Sequence, residues 1–409
     1  MKKEKIRKTN DSRLDIIERG STLKILIGAD LVPTQRNYHL FQTGAVDELI
    51  GNDLYRKLRN ADFTIFNLEV PLTDEVDPII KHGMNLIAST STICGLKAIN
   101  PHFFTIANNH ILDQGEQGLD STVKLLNQFG IAYAGAGKNL KEASAPYIKC
   151  VNGIKVGIYC CAEHEFTIAT ESSAGANPFD PLESLDHVSE LKSQCDYVIV
   201  LYHGGKEHYR YPAPYLQKVC RKLIDKGADF VVCQHSHCIG ATEKYHSGQI
   251  IYGQGNFLFD YSESEYWQTG LLIELEIKKL SGRVSVSTIF HPLLKCKEKV
   301  RLASADRAEK ILNEFNDRSK KILSAEFVQT EYVKYSASMI NSYLSGFMGT
   351  SNRNLLIRII NKLTGYKFLN WRIKKRFKNR DRLVFRNYIE CEAHRELILQ
   401  GLSTENNNP

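Results

Sequence analysis

At 409 residues, with 43% hydrophobic and 24% charged side chains, the chain has the balance of an ordinary globular protein, which excludes a disordered or fibrous one. Its length allows two or three domains, although α/β folds often run past roughly 250 residues as one. The formal charge of +7 is modest, and its basic excess gathers between Arg372 and Arg386, so charge assigns no partner to the main domain.

In chain order, Met1 to Arg13 is polar and basic, without the apolar run of a signal peptide, and no later stretch approaches the roughly 20 apolar residues of a membrane span. A cytoplasmic location is the expectation. From Leu23 to Tyr252, short β-rich runs alternate with helical patterns, the signature of an α/β sheet with crossover helices. The runs are Leu23–Ile27, Phe63–Phe66, Phe103–Ile106, Val156–Tyr159, Tyr197–Leu201, Phe230–Cys233 and Gln249–Tyr252. Between them, Leu119, Val123 and Leu126 fall at helical spacing, as do Leu216, Val219, Cys220, Leu223 and Ile224, with Gly130 and Gly227 as helix stops. Leu271–Ile277 and Val284–Phe290 flank Ser281-Gly282 as a predicted hairpin. Ala305–Leu323 reads as a charged helix, Leu355–Leu402 as further helices, and Asn406 to Pro409 as a disordered tail. The expected organisation is a polar extension over 1–20, a main domain over 21–295 and a helical region over 296–405. Ten scattered cysteines without a CxxC pair read as reduced core thiols.

In an open α/β sheet, ligands bind beyond the carboxyl ends of the strands, so polar residues there carry the functional signal. Asp30 follows the first run, Asn67 and Glu69 the second, Asn108-Asn109-His110 the third, His203 the fifth, His235 and His237 the sixth, and Asn256 the seventh. Each has a plain structural alternative. Asp30, Asn109 or Asp113 could cap a helix, and His203 could be a hydrogen-bonded core histidine beside a Gly204-Gly205 turn. His235-Ser236-His237 places two imidazoles on one side of an extended segment. Together these carboxylates and imidazoles suit Mn²⁺, Fe²⁺ or Zn²⁺ better than Ca²⁺ or Mg²⁺. Two ions about 3.5–4 Å apart need an anionic bridge, which Glu69 or Asp30 could supply; such a centre would activate water, clamp a phosphoryl or acyl oxygen and leave a nearby imidazole to protonate the leaving group.

The stretches Ile27-Gly28-Ala29-Asp30, Asn67-Leu68-Glu69-Val70-Pro71-Leu72, Ala107-Asn108-Asn109-His110-Ile111-Leu112-Asp113, His203-Gly204-Gly205-Lys206-Glu207, His235-Ser236-His237 and Tyr252-Gly253-Gln254-Gly255-Asn256-Phe257 resemble, in order and spacing, the CapA family of bacterial capsule or poly-γ-glutamate synthesis. The resemblance spans roughly Leu23 to Asp260. It implies a divergent calcineurin-like metallophosphoesterase: an α/β layered sandwich of two β-sheets flanked by helices, here with a C-terminal helical appendage. It also implies metal ligation by Asp30, Glu69, Asn109, His203, His235 and His237, with Glu69 as the bridge and His110 as the acid. Val32 stands where the superfamily pattern carries a histidine, and Glu69 where it carries an aspartate, which leaves one ion or two.

Asn67, Asn108, Glu163, His164, Glu165, Glu207 and Asn256 are the expected substrate contacts; Glu163-His164-Glu165 sits at the same sheet edge, with a surface loop as its alternative. The leading functional expectation is a metal-dependent hydrolase of a phosphoester or of the amide of an anionic polymer. The competing one is a non-catalytic polymer-binding or assembly component working with other capsule-synthesis proteins. The segment Trp371–Lys378 is basic and amphipathic enough for the inner membrane surface, against the alternative of a plain surface helix. No nucleic-acid recognition motif is present, and no such partner is expected.

Overall fold

The computed structural model describes residues 20–259, 262–348, 359–360, 362–365 and 367–405. The expectations for 1–19, for 355–358 and for Asn406–Pro409 lie outside the described residues. Contacts divide the chain into two units, Met1–Gln329 and Thr330–Pro409.

The first unit carries β1 (Ser21–Leu31), β2 (Phe63–Leu68), β3 (Phe103–Thr105), β4 (Ala132–Ala134), β5 (Ala136–Gly137), β6 (Tyr147–Val151), β7 (Ile154–Ala162) and β8 (Gly175–Ala176). It continues with β9 (Tyr197–His203), β10 (Phe230–Gln234), β11 (Thr242–Tyr245), β12 (Gly248–Ile251), β13 (Asn256–Leu258), β14 (Thr269–Leu280), β15 (Arg283–Cys296) and β16 (Lys299–Leu302). One large sheet runs β16-β15-β14-β1-β2-β3-β4, with β13 also paired to β1; a second runs β11-β12-β10-β9-β7-β6; β5 and β8 form a small two-stranded sheet of their own. The β1–β2–β3–β4 ladder is parallel, as is β7–β9–β10–β12, so within each sheet these strands release their carboxyl ends along one edge.

Side chains alternate across a strand, which lets each sheet feed two cores. Leu23, Ile25 and Ile27 of β1 and Ile273, Leu275 and Ile277 of β14 meet Val156, Ile158, Ile199, Leu201 and Val232 of the other sheet in one buried layer. On the opposite face of the first sheet, Leu26, Phe66, Leu68 and Phe104 pack with Leu54 and Leu58 of the helix Asn52–Arg59 and with Leu119 and Leu126 of the helix Gly115–Gln128. The second sheet is backed by the helices Ser184–Gln194 and Pro214–Asp225. The result is the α/β sandwich of two sheets flanked by helices. Burial on both faces explains why the parallel strands read as continuous apolar runs.

Two expectations change. The first unit passes the 295/296 boundary because β15 reaches Cys296 and β16 follows it, and because Ile311 and Phe315 of the helix Ala305–Lys321 pack on Ile239 and Leu271. The cysteines are not uniformly core thiols: Cys160, Cys161, Cys220, Cys233 and Cys238 are buried, whereas Cys94, Cys150 and Cys296 are exposed, and all ten are free.

The second unit contains the helices Lys367–Arg376, Asn379–Glu390 and Glu392–Glu405, with a small cluster of Leu344, Ile373 and Phe377. Ile373 and Phe377 of the basic segment are thus turned inward, leaving Trp371 exposed. Among the described residues no helix is long and apolar enough to cross a membrane.

Candidate metal centre

β1 does not run straight into the site. Its register against β2 goes from Ile27↔Ile65 to Asp30↔Asn67, so three residue steps on β1 face two on β2. This extra residue is a β-bulge, a device that re-aims a side chain, and Asp30 lies inside the strand rather than beyond it. Asn67 Nδ2 donates to Asp30 Oδ1 at 2.8 Å and lies 3.1 Å from His203 Nδ1. Asn108 Nδ2 donates to Asn67 Oδ1 at 3.0 Å and to the Leu68 carbonyl at 2.9 Å, and Asn108 Oδ1 accepts from the His110 backbone N–H at 3.1 Å.

His203 ends β9, with Nε2 3.0 Å from Asn109 Oδ1 and 3.4 Å from Glu69 Oε1. His235 and His237 follow β10 with φ of 88° and 52°. The segment is therefore a bend with two non-glycine residues at positive φ, and not the extended stretch expected. Such backbone in a non-glycine residue costs on the order of 1–3 kcal/mol and persists where the surroundings fix it, often at a functional site. His237 Nδ1 lies 2.8 Å from Asn256 Oδ1 and 3.5 Å from Asp30 Oδ2. The His203 and His235 rings have centroids 4.8 Å apart.

Two overlapping groups of ligand atoms result: Asp30, Glu69 and His203, and Glu69, His235 and His237, the atoms in each within 4.8 Å of one another. All five residues are buried, Asp30 and Glu69 completely. Both oxygens of Glu69, Asp30 Oδ2 and His235 Nδ1 are buried without a hydrogen-bond partner. Leaving a buried charged acceptor unsatisfied costs well over the ~1–3 kcal/mol of a neutral group. A divalent cation would satisfy these atoms together, and the nitrogen-and-oxygen donor set fits one. Glu69 belongs to both groups, so its oxygens would be shared.

Without an ion, the buried carboxylates and imidazoles set one another's charge. Burial opposes charge on His237, but the carboxylates of Asp30 and Glu69 outweigh it and hold the imidazole pKa up at about 9. Burial also opposes charge on His203, and Glu69 and Asp30 again raise its pKa. His235 is pushed well below the usual imidazole range by burial and then by His203 and His237. Burial would raise the Asp30 pKa, yet His237 and His203 bring it below the ordinary carboxylate value. The Asp30 carboxyl therefore sits in an environment that keeps it ionised.

Beside this group, His110 Nδ1 lies 2.5 Å from Asp113 Oδ2, and Asp113 Oδ1 also pairs with Lys81 Nζ. Asp113 is fully buried, while His110 and Asn109 are partly exposed. The His110-x-x-Asp113 spacing was a readable sign of this pair; nothing in the sequence pointed to Lys81. Trp267 was equally silent, although its ring stacks on His237 at 4.7 Å between centroids and its Nε1 donates to His208 Nε2 at 2.8 Å.

The expected substrate contacts divide. Asn67 and Asn108 are fully buried, with amides committed to Asp30, Asn67 and Leu68, so they are internal supports of Asp30 and the end of β2 and not the substrate contacts expected. Asn256 is likewise buried, beside His237. Glu163 Oε1 accepts from the Gly205 N–H at 3.1 Å and supports the turn after His203; burial raises its pKa against the pull of Lys206. His164, Glu165 and Glu207 are exposed loop residues.

Acids and imidazoles gathered at the strand ends of a two-sheet sandwich define the class of the molecule: an α/β sandwich with a candidate metal centre. Within that class, the chain belongs to the family described as bacterial capsule synthesis protein PGA_cap, which matches residues 24–261. Capsule biosynthesis protein CapA of Bacillus anthracis is 31% identical over 212 residues, covering 50% of this chain and 52% of that protein. PGA biosynthesis protein CapA of Bacillus subtilis (strain 168) is 29% identical over 237 residues, covering 56% and 62%. The chain thus spans about half of the first relative and somewhat more of the second. A solved structure of a 5'-nucleotidase precursor from Thermus thermophilus superposes with a TM-score of 0.37 at 13% identity, covering 78% of this chain and 59% of that one.

Proposed function

We propose that this chain is a metal-dependent hydrolase of bacterial capsule or poly-γ-glutamate biosynthesis, acting on a phosphoester or on the amide of an anionic polymer. The observation that carries the reading is Glu69: a fully buried carboxylate, shared by two ligand groups, whose oxygens accept no hydrogen bond. Asp30, Glu69 and His203, joined by Asn109, hold one ion; Glu69, His235 and His237 hold a second where two are bound. Mixed imidazole and carboxylate donors favour manganese, iron or zinc. When bound, the ion supplies Lewis-acid polarisation and activation of water near neutral pH. His110, oriented by Asp113, stands at the partly exposed mouth as the proton donor to the leaving group.

The test is hydrolysis of an aryl phosphodiester, or shortening of poly-γ-glutamate, with Mn²⁺ and with chelator. His110→Asn should lower turnover by roughly 10²–10⁴-fold with metal content intact, whereas His235→Ala should lower both. Equal turnover in chelator, or an active His110→Asn protein, would sink the reading.

One observation favours a second reading, in which the same cleft binds polymer without chemistry. Val32, at the position where the superfamily pattern carries a histidine, is buried in the apolar core and offers no ligand. Capsule production retained in a His110→Ala strain whose protein still holds metal would support that binding role.

A further inference from the structure

A second polar cleft opens on the first unit, its floor and rim reaching beyond the residues 24–261 that define the family. Its wall includes Arg210, Glu265, Arg307, Lys310, Glu314 and Arg318. Arg307, Lys310, Glu314 and Arg318 share one face of the helix Ala305–Lys321, because residues three, four and seven apart align on a helix. Four cations face two carboxylates, and the carboxylates compensate poorly. Glu265 meets Arg210 at 3.3 Å with its side chain 72% exposed, and Glu314 reaches Arg318 only at 4.0 Å with its side chain 49% exposed. Exposed pairs of this kind contribute little.

The two guanidinium groups are better buried than their partners. Arg318 donates Nε to the neutral Gly240 carbonyl at 2.8 Å. Arg210 lies over the Tyr266 ring at 4.8 Å, and its Nε is buried without a hydrogen-bond partner. Burial first, and the charge of Arg210 second, act against the charged form of Arg318. Because arginine keeps its proton, the cleft retains an uncompensated positive charge and a free donor.

The cleft adjoins the metal centre through one short loop. Glu265 faces the cleft, while Trp267 two residues on stacks on His237. Arg307 and Arg318 are separated by roughly 16 Å of helix axis at 1.5 Å per residue, a spread suited to several anionic groups along an extended chain rather than to one small ion.

We infer that this cleft is a subsite for a polycarboxylate chain, holding the carboxylates of units next to the one at the metal centre. The inference rests on the anionic-polymer reading above but names a separate site. Arginine supplies the planar fork that carboxylates fit, and the exposed Arg307 and Lys310 extend the track along the rim.

The test is direct binding of a labelled γ-linked glutamate oligomer to the full chain in chelator, so that it does not depend on metal or turnover. Wild-type protein should bind, and more weakly as salt rises. The double variant Arg307→Glu/Lys310→Glu, altered only at exposed positions, should bind roughly tenfold or more weakly, with manganese uptake and melting temperature unchanged. Arg210→Met should weaken binding in the same direction. Undiminished binding by these variants, or no binding by the wild type, would overturn the subsite. Inorganic phosphate is the comparison arm: phosphate binding that these variants abolish, without oligomer binding, would overturn the polymer assignment.

Discussion

Glu69→Gln is expected to weaken divalent-metal binding by more than about a hundredfold, beyond the roughly 10–100-fold that loss of an outer-shell partner costs. The side chain belongs to both ligand groups and keeps both oxygens free of hydrogen bonds. Glutamine matches it in size, so the loss isolates the negative charge and one ligand oxygen. Stability gives a second readout, because an ion that binds only the folded state stabilises it by mass action. At a concentration a hundred times the dissociation constant the gain is about 2.7 kcal/mol; a hundredfold weaker variant would gain roughly 0.4 kcal/mol at the same concentration. Thermal melts with Mn²⁺ and with chelator should therefore separate widely for the wild type and hardly at all for the variant. An equal metal-induced rise in both proteins would count against the proposed role of Glu69.

Gly28→Ala is expected to give a large loss of stability for a single added methyl. A Cβ at Gly28 would fall 2.3 and 2.4 Å from Cδ1 and Cε1 of Phe66. That ring is fully buried and packs edge-on against Phe257 at 4.8 Å between centroids, with Phe104 at 6.3 Å. It has no open side into which to recoil, so the cost should lie at the upper end of the roughly 1–3 kcal/mol typical of overpacking. Each kcal/mol lowers the melting temperature by about 2–4 °C in domains of 150–250 residues. Phe66 precedes Asn67 and Phe257 follows Asn256, so a shifted ring should also loosen the support of Asp30 and His237. Gly130→Ala is the contrast: its φ is +66°, but nothing lies within 4 Å of the added atom, so only a backbone penalty of about 1 kcal/mol is expected. Chemical denaturation of the three proteins decides the matter; Gly28→Ala no less stable than Gly130→Ala would mean that the packing around Phe66 is looser than described.

The parallel strands were legible because burial on both faces demands apolar, β-branched runs such as Val198–Leu201 and Phe230–Val232. Short strands such as β4, of sequence Ala-Tyr-Ala, carry too little pattern to be read before their neighbours are known. Asp30, Glu69, His203, His235 and His237 could be picked out because polar residues are costly at the ends of buried strands unless something engages them. What holds them was not legible. The bulge before Asp30 and the bend that puts His235 and His237 at positive φ are backbone features imposed by tertiary packing. Asn67 and Asn108 were legible as strand-end polar residues and expected as substrate contacts, but only the folded chain brings the Asn67 amide between Asp30 and His203 and the Asn108 amide behind Asn67. Trp267 and Lys81 reach the site from segments with no motif, and the helix Ala305–Lys321 joined the first unit through long-range contacts of Ile311 and Phe315 that periodicity alone cannot assign.

Element-specific anomalous X-ray scattering from crystals of the full chain grown with Mn²⁺ tests the central claim most directly. The account predicts manganese in contact with Glu69 together with Asp30 and His203, or with His235 and His237, and its disappearance on transfer to chelator. A folded protein with no ion there, or with ions bound only at surface carboxylates, would contradict it.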